Sequence, residues 1–315
     1  MIGIKAIASY LPNRVIDNIA QAKMFGESEE FIKNKIGAVR LPRKDDDQET
    51  SDIATLAVQA LFKKCQNLKK SNVDAIVVVT QNPDGEGLPH TAAILQDKLG
   101  LPVTVAAFDV SLGCSGYVYG LFLLKGFLEA SGLENGILVT ADPYSKIVDS
   151  NDRLTSLLFG DASTATWLSK TPVWSLDAVL YGTDGSGSEY LKVDEGRLQM
   201  NGRQIFNFAA HNVAPHIKKL LESESLSPED IDLFCLHQGS AAILDAISKH
   251  FGNLTNRFVK EMKNTGNTVS SSIPLILENR GFDGKLNRIL ISGFGVGLSM
   301  ASAIIVRNIQ GERLC

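Results

Sequence analysis

Short runs of β-branched and other apolar residues alternate along this chain with longer stretches whose apolar positions recur at helical spacing. Val73-Asp-Ala-Ile-Val-Val-Val-Thr, Asn135-Gly-Ile-Leu-Val-Thr140, Ile231-Asp-Leu-Phe-Cys-Leu236 and Asn287-Arg-Ile-Leu-Ile-Ser292 are nearly continuous in apolar character. That pattern predicts strands buried on both faces, as in parallel-rich sheets covered by helices. Helical patterns open at Thr91 and Ser240 and are expected to close at Gly100 and Gly252, where glycine accepts a left-handed cap. Phe108 to Leu124 predicts a strand, a tight turn and a helix that is apolar almost all round, hence buried. A first strand is expected within Met1–Tyr10, where Lys5 breaks any signal-peptide pattern. Another is expected at Trp174–Tyr181, followed by a polar, glycine-rich hairpin region from Gly182 to Gly202. The longest apolar stretch, Tyr117–Leu124, falls far short of the roughly 20 residues that cross a bilayer. No membrane span is predicted.

The pattern repeats. Val73–Gln81 echoes Ile231–Gln238, Thr91-Ala-Ala-Ile-Leu95 echoes Ser240-Ala-Ala-Ile-Leu244, and Asn135–Thr140 echoes Asn287–Ser292, at offsets of 158, 149 and 152. Three elements in one order at a nearly constant offset imply two fused copies, each an α/β unit with right-handed crossovers. We place the seam near Thr171-Pro172, giving halves 1–170 and 171–315. Between Gln81 and Thr91 lie nine residues, 82–90, where the second half has only Gly239. An extra loop at the carboxyl end of a parallel strand is a common place for a site, and a solvated surface insertion is its ordinary alternative.

Charge changes the picture mainly by exclusion. The chain has 31 basic and 35 acidic residues, for a net charge of −4, with no extended basic face for nucleic acid. The four cysteines, Cys65, Cys114, Cys235 and Cys315, lie 49, 121 and 80 positions apart, which matches no zinc or CxxC spacing. Four free thiols without an export signal lead us to expect a reducing cytoplasm and no metal.

Chemistry concentrates at a few positions. Cys114 falls in the turn Gly113-Cys-Ser-Gly116 at the start of the predicted buried helix, where unpaired N–H groups and the helix dipole are expected to lower a thiol's pKa. Cys65 and Cys235, in helical and strand contexts, are expected to be buried hydrophobes. His237 closes a strand of the second half at the point corresponding to the extra loop. A hydrogen-bonded structural histidine is its plain alternative. His90, His211, His216 and His250 have no evident partner. Lys263-Asn-Thr-Gly-Asn267-Thr-Val-Ser-Ser-Ser-Ile-Pro274 opens the counterpart of the cysteine helix, with an ordinary helix cap as the alternative for Asn267. Gly293-Phe-Gly-Val-Gly297 can aim backbone N–H groups at an oxyanion.

Together "FIKNKIGAVR", "ETSDIA", "FDVSLGCSGY", "LFGDAS", "MNGRQIFNFA", "HQ" and "NTGNTVSSSIP", in that order, resemble the thiolase-like condensing enzymes, and among them the β-ketoacyl-acyl-carrier-protein synthase III family. The resemblance implies a duplicated α/β fold in five layers, α-β-α-β-α, a homodimer, and no resident cofactor beyond a coenzyme A thioester as substrate. It makes Cys114 the acyl-accepting nucleophile, with the N–H groups of Cys114 and Val296 as its oxyanion site. His237 and Asn267 become the pair that handles a malonyl unit. Expected partners are an acyl-coenzyme A donor and a malonyl carrier protein, a dedicated carrier, or an alcohol or amine acceptor.

The same resemblance places Phe31, Lys35 and Arg153 at the mouth that receives coenzyme A. Met200, Gly202 and Phe206 are placed along the tunnel, and Leu88 where a partner subunit's residue would floor the acyl pocket. After His237-Gln238 the family pattern has Ala-Asn and then a basic residue, whereas this chain has Gly239-Ser240-Ala241-Ala242. Weak, salt-insensitive docking of a generic carrier protein is therefore expected unless Lys249 or Lys260 compensates.

Overall fold

The computed structural model describes residues 1–308; Cys315 lies outside them. Nine strands form one continuous sheet: β1 (Gly3–Tyr10), β2 (Ala75–Val79), β3 (Ala106–Val110), β4 (Asn135–Ala141), β5 (Ser163–Ser169), β6 (Trp174–Thr183), β7 (Leu233–Leu236), β8 (Arg288–Gly295) and β9 (Ser299–Arg307). Their order is β7-β8-β9-β6-β1-β5-β4-β2-β3. β2 runs parallel to β3 and β4, and β7 parallel to β8. The pairs β4–β5, β5–β1, β8–β9 and β9–β6 are antiparallel. β1 and β6 touch only at Gly3 with Ser175 and Ile4 with Trp174, so the sheet is two half-sheets joined at a narrow seam. Their strand orders correspond, with β2, β4, β5 and β1 matching β7, β8, β9 and β6. The counterpart of β3 is reduced to one parallel bridge, Phe234 with Phe258.

Alternation along each strand sets the layers. Ala75, Val77 and Val79 pack with the inner helices α3 (Gly116–Ser131) and α6 (Ser272–Arg280). Ile76 and Val78 pack with the outer helices α1 (Thr50–Lys64) and α2 (Thr91–Leu99). In the second half, Leu233 and Cys235 face inward, and Phe234 and Leu236 face α4 (Ala214–Ser223) and α5 (Ala241–Ser248). With side chains pointing to opposite faces at period two, each half-sheet is buried on both sides. The result is the expected five-layer, thiolase-like α-β-α-β-α arrangement. Helix α3 lies so close to the sheet that a Cβ on Gly116 would sit 2.4 Å from Val79, and one on Gly120 2.8 Å from Leu138. Glycine at these positions seats the helix that follows Cys114.

Two sequence expectations shift. α2 closes at Gly100, in left-handed conformation at φ +60°, but α5 ends at Ser248 and gives way to 3₁₀ turns in which Gly252 makes the bend, at φ +56°. Cys65 is buried as expected but disulfide-bonded, so the expectation of four free thiols fails; Cys114 and Cys235 are free. No helix among the described residues is long and apolar enough to cross a membrane.

Candidate active site

Cys114 stands two residues ahead of α3, in a turn rather than in the helix itself. The segment from Gly293 to Gly297 wraps over it. A Cβ on Gly293 would come within 2.6 Å of the Cys114 carbonyl oxygen, and one on Gly295 within 2.8 Å of its Sγ, so only glycine permits this approach. The backbone N–H groups of Val296 and of Cys114 itself both reach the thiol sulfur. Close by in charge terms is Asp142, whose Oδ1 accepts hydrogen bonds from Asn82 Nδ2 at 2.6 Å and the Gln81 N–H at 3.1 Å, while its Oδ2 has no partner.

The expected lowering of the Cys114 pKa does not hold. Burial, reinforced by the charge of Asp142, pushes the thiol up to about 12 despite the two N–H groups that favour the thiolate. Desolvation of the charged form outweighs the local dipoles. Below its pKa a thiol gains tenfold in thiolate per pH unit, so alkylation of Cys114 by iodoacetamide is expected to climb steadily through pH 6–9 without a plateau. A plateau near pH 7, measured by mass spectrometry of the labelled peptide, would show that the helix start dominates after all.

Directly after β7 comes His237, 2% exposed. Its backbone N–H donates to Ser292 O at 2.8 Å, and its Nδ1 lies 2.8 Å from Ser272 Oγ. The edge of Phe294 packs on the ring at 5.5 Å between centroids. Burial drives the imidazole pKa down to about 4, so His237 is neutral at physiological pH. Asn267 is held by its backbone, which donates to Leu158 O and accepts from the Gly160 N–H, each at 3.0 Å. Its Oδ1 accepts the Val269 N–H at 2.9 Å. The amide NH₂ is thereby turned away from Val269, makes one long 3.5 Å contact to the Gly239 backbone oxygen, and remains available as a donor.

One cavity of about 190 Å³ brings Cys114, His237 and Asn267 together, with Lys35, Met200, Gly202, Phe206 and Gly239 also in its wall. Three further candidates stand apart from it. Phe31 packs on the cluster of Ile32 and Leu157, Leu88 is 91% exposed in the 82–90 loop, and Arg153 is ion-paired with Glu27. Leu154, next to Arg153, does line the cavity, as do Ile36, Leu158, Phe159, Leu191, Ile205 and Phe208. Sequence reasoning missed these because an apolar tunnel wall and an apolar core carry the same signature. Phe294 and Gly295, inside the glycine-rich segment, were the part with a legible signal. A larger cleft of about 620 Å³ beside Arg14, Arg43 and Asn151 contains none of the three polar candidates. Among the described residues no cluster of three His, Cys, Asp or Glu side chains can hold a metal ion.

Known proteins share this arrangement of fold and sequence. Residues 108–185 match the family model described as 3-oxoacyl-[acyl-carrier-protein (ACP)] synthase III, and residues 221–307 match the model of its C-terminal part. A β-ketoacyl-[acyl-carrier-protein] synthase III of Streptococcus mutans is 33% identical over 96% of this chain and 98% of its own. The chain belongs to the synthase III family. A Staphylococcus aureus member is likewise 33% identical, over the same shares of the two chains. The solved synthase III of Thermus thermophilus superposes with a TM-score of 0.88 at 32% identity, covering 97% of this chain and 99% of that one. Membership spans both half-sheets, so it includes both walls of the cavity.

Proposed function

We propose that this enzyme joins an acyl group from acyl-coenzyme A to a malonyl thioester on a carrier protein, with loss of carbon dioxide. In the first step Cys114 Sγ attacks the acyl thioester carbonyl, and its S–H proton leaves with coenzyme A as the free thiol. The tetrahedral oxyanion is held by the N–H groups of Cys114 and Val296, preorganised donors that need no solvent reorganisation. In the second, the malonyl carboxylate departs as carbon dioxide, and the electron pair of the broken C–C bond forms an enolate. Its oxygen accepts hydrogen bonds from His237 and Asn267, both neutral, so neither supplies a proton that would quench the carbanion. In the third, the enolate carbon attacks the acyl-Cys114 carbonyl, expelling the Cys114 thiolate, which recovers a proton from water. The acyl group arrives activated, so the reaction uses no metal or redox cofactor.

The observation that carries this reading is the single cavity shared by a backbone-cradled thiol and two uncharged donors. Lys35 at its wall, with Phe31 on the same short helical segment and Arg153 next to the wall residue Leu154, is proposed to receive coenzyme A. Of the two lysines that could compensate for the missing basic residue, Lys260 is paired with Asp245, while Lys249 shares a surface cleft with Lys35 and Phe206, where it can meet an acidic carrier. A homodimer is supported by two features. β3 is an edge strand, half-buried along its length, and Leu88 is an exposed apolar side chain suited to a second copy. Cys114 functions only while reduced, which suits the cytoplasm. Incubation of the protein with short acyl-coenzyme A and a malonyl carrier is expected to release carbon dioxide and form a 3-ketoacyl carrier. Transfer to alcohols or amines without carbon dioxide release would overturn the reading.

A further inference from the structure

We propose that the cleft beside the two-stranded ribbon of Arg14–Asp17 and Arg40–Arg43 is a binding site for a phosphate group, with the Arg43 guanidinium as its principal donor. The site is separate from the cavity at Cys114 and does not rest on the function proposed above. The two strands of the ribbon pair antiparallel, and their register sets Arg14 directly opposite Arg43. Directly opposed residues share one face of a ribbon, where like charges repel. Both arginines line the cleft of about 620 Å³, joined there by Lys44. Arg43 is only 7% exposed, and its Nη1 is buried without a hydrogen-bond partner. Burial pulls its pKa down, the Asp161 carboxylate partly restores it, and the like charge of Arg14 lowers it again. A guanidinium stays charged under such shifts, so the fold holds a buried cation that the described residues leave without a hydrogen-bonded counter-ion.

The acids around Arg43 are already engaged. Asp161 accepts the Lys44 N–H at 2.9 Å and the Ser145 hydroxyl through Oδ2, and the Ser145 N–H at 3.2 Å through Oδ1. Asp17 accepts the backbone N–H groups of Ile19 and Ala20. Asp46 pairs with Arg14 at 2.7 Å, but with its side chain 92% exposed it sits in water, where an ion pair contributes little. A second orphan lines the same cleft: the Oγ of Ser156, a residue 1% exposed, has no partner. A forked guanidinium meets the oxygens of a phosphate or a carboxylate two at a time. Three cations and a hydroxyl suit a group with three acceptor oxygens and up to two negative charges, which favours phosphate over carboxylate. The cleft is larger than a phosphate, and Ile16, Ala20 and Met24 give it an apolar wall. The ligand that fits it best is a phosphate ester with a small apolar body.

Titration calorimetry and thermal unfolding of the full-length protein in Tris chloride test this, with inorganic phosphate, phenyl phosphate and acetate as probes. Wild type is expected to bind both phosphates and to gain on the order of 4 °C in Tm at about a hundredfold excess over Kd. Acetate should bind weakest. Tighter binding of phenyl phosphate assigns an ester to the site, and equal or weaker binding assigns free phosphate. Arg43→Met keeps the length of the buried stem without its charge. It should weaken phosphate binding by about tenfold to a hundredfold, the loss of a charge-assisted hydrogen bond. Its Tm without phosphate should stay level or rise, since an unpaired buried charge has been removed. Acyl loading of Cys114 should keep its wild-type dependence on acyl-coenzyme A concentration. Wild-type protein that neither binds phosphate nor is stabilised by it at millimolar concentration overturns the proposal without any variant. Acetate that binds as tightly as phosphate also overturns it, as does an Arg43→Met protein that binds phosphate like wild type or is destabilised in phosphate-free buffer. A raised acyl-coenzyme A requirement in Arg43→Met would make the cleft part of the coenzyme A mouth and overturn its separateness.

Discussion

Cys114→Ala should abolish covalent loading from acyl-coenzyme A and lower condensation by on the order of 10⁴-fold or more, because removal of a nucleophile leaves only binding and oxyanion stabilisation. The loss should be this large because no other described cysteine can stand in. Cys235 is sealed in β7, where burial raises its pKa and its thiol faces the Ile273 carbonyl at 3.7 Å. Cys65 is already bonded. Cys114 is itself a poor thiolate, so specificity comes from geometry and not from resting reactivity. Among the described cysteines, its sulfur alone lies between two backbone N–H groups and a cavity that admits a substrate. Intact mass after incubation with a panel of acyl-coenzyme A donors, then peptide mapping, decides the matter. A single acyl adduct on the Cys114 peptide is expected in wild type and none in the variant. Label on Cys65 or Cys315, with none on Cys114, would remove the nucleophile from this position.

The layer plan was legible because strand burial is a period-two property that each segment carries in itself. Val73–Thr80 and Ile231–Leu236 announce strands buried on both faces without reference to any partner. Turn residues were nearly as legible, since Gly113, Gly293 and Gly295 stand where backbone must pass close to Cys114. Ionisation was not legible. The thiol's pKa depends on Asp142, 28 positions downstream, and on the desolvation that only the assembled layers produce. Arg153 illustrates the same limit at the surface. Its partner Glu27 is 126 positions away, and no local pattern indicates that pairing. Ser272 was visible only as one serine in Ser270-Ser-Ser272. The contact that distinguishes it from its neighbours is made across 35 positions to His237.

Removing either enolate donor should separate the two half-reactions. His237→Ala and Asn267→Ala are each expected to lower malonyl decarboxylation by on the order of 10²–10³-fold while acyl loading of Cys114 stays within a few-fold of wild type. The separation follows from the donor geometry. The acyl oxyanion is served by backbone N–H groups of Cys114 and Val296, which neither substitution removes. The enolate oxygen is served by the two side chains, and Asn267 has its Oδ1 tied to the Val269 N–H so that its NH₂ faces outward. The effects should not add. With one donor gone, the enolate oxygen loses its fixed position, and the second donor acts on a misplaced atom, so the double variant should lose less than the product of the two single losses. The pH sign follows from His237. Its pKa is held down to about 4 by burial, so the native fold favours the neutral ring. The wild-type decarboxylation rate should be flat from pH 8 to about 5 as far as this group is concerned, and native stability should weaken as pH falls from the ordinary histidine value towards 4, because the unfolded chain takes up the proton first. Single-turnover assays that count carbon dioxide and acyl adduct separately test the whole assignment. A variant that fails to load acyl groups yet still decarboxylates malonyl thioesters would reverse the roles given to the two sides of the cavity.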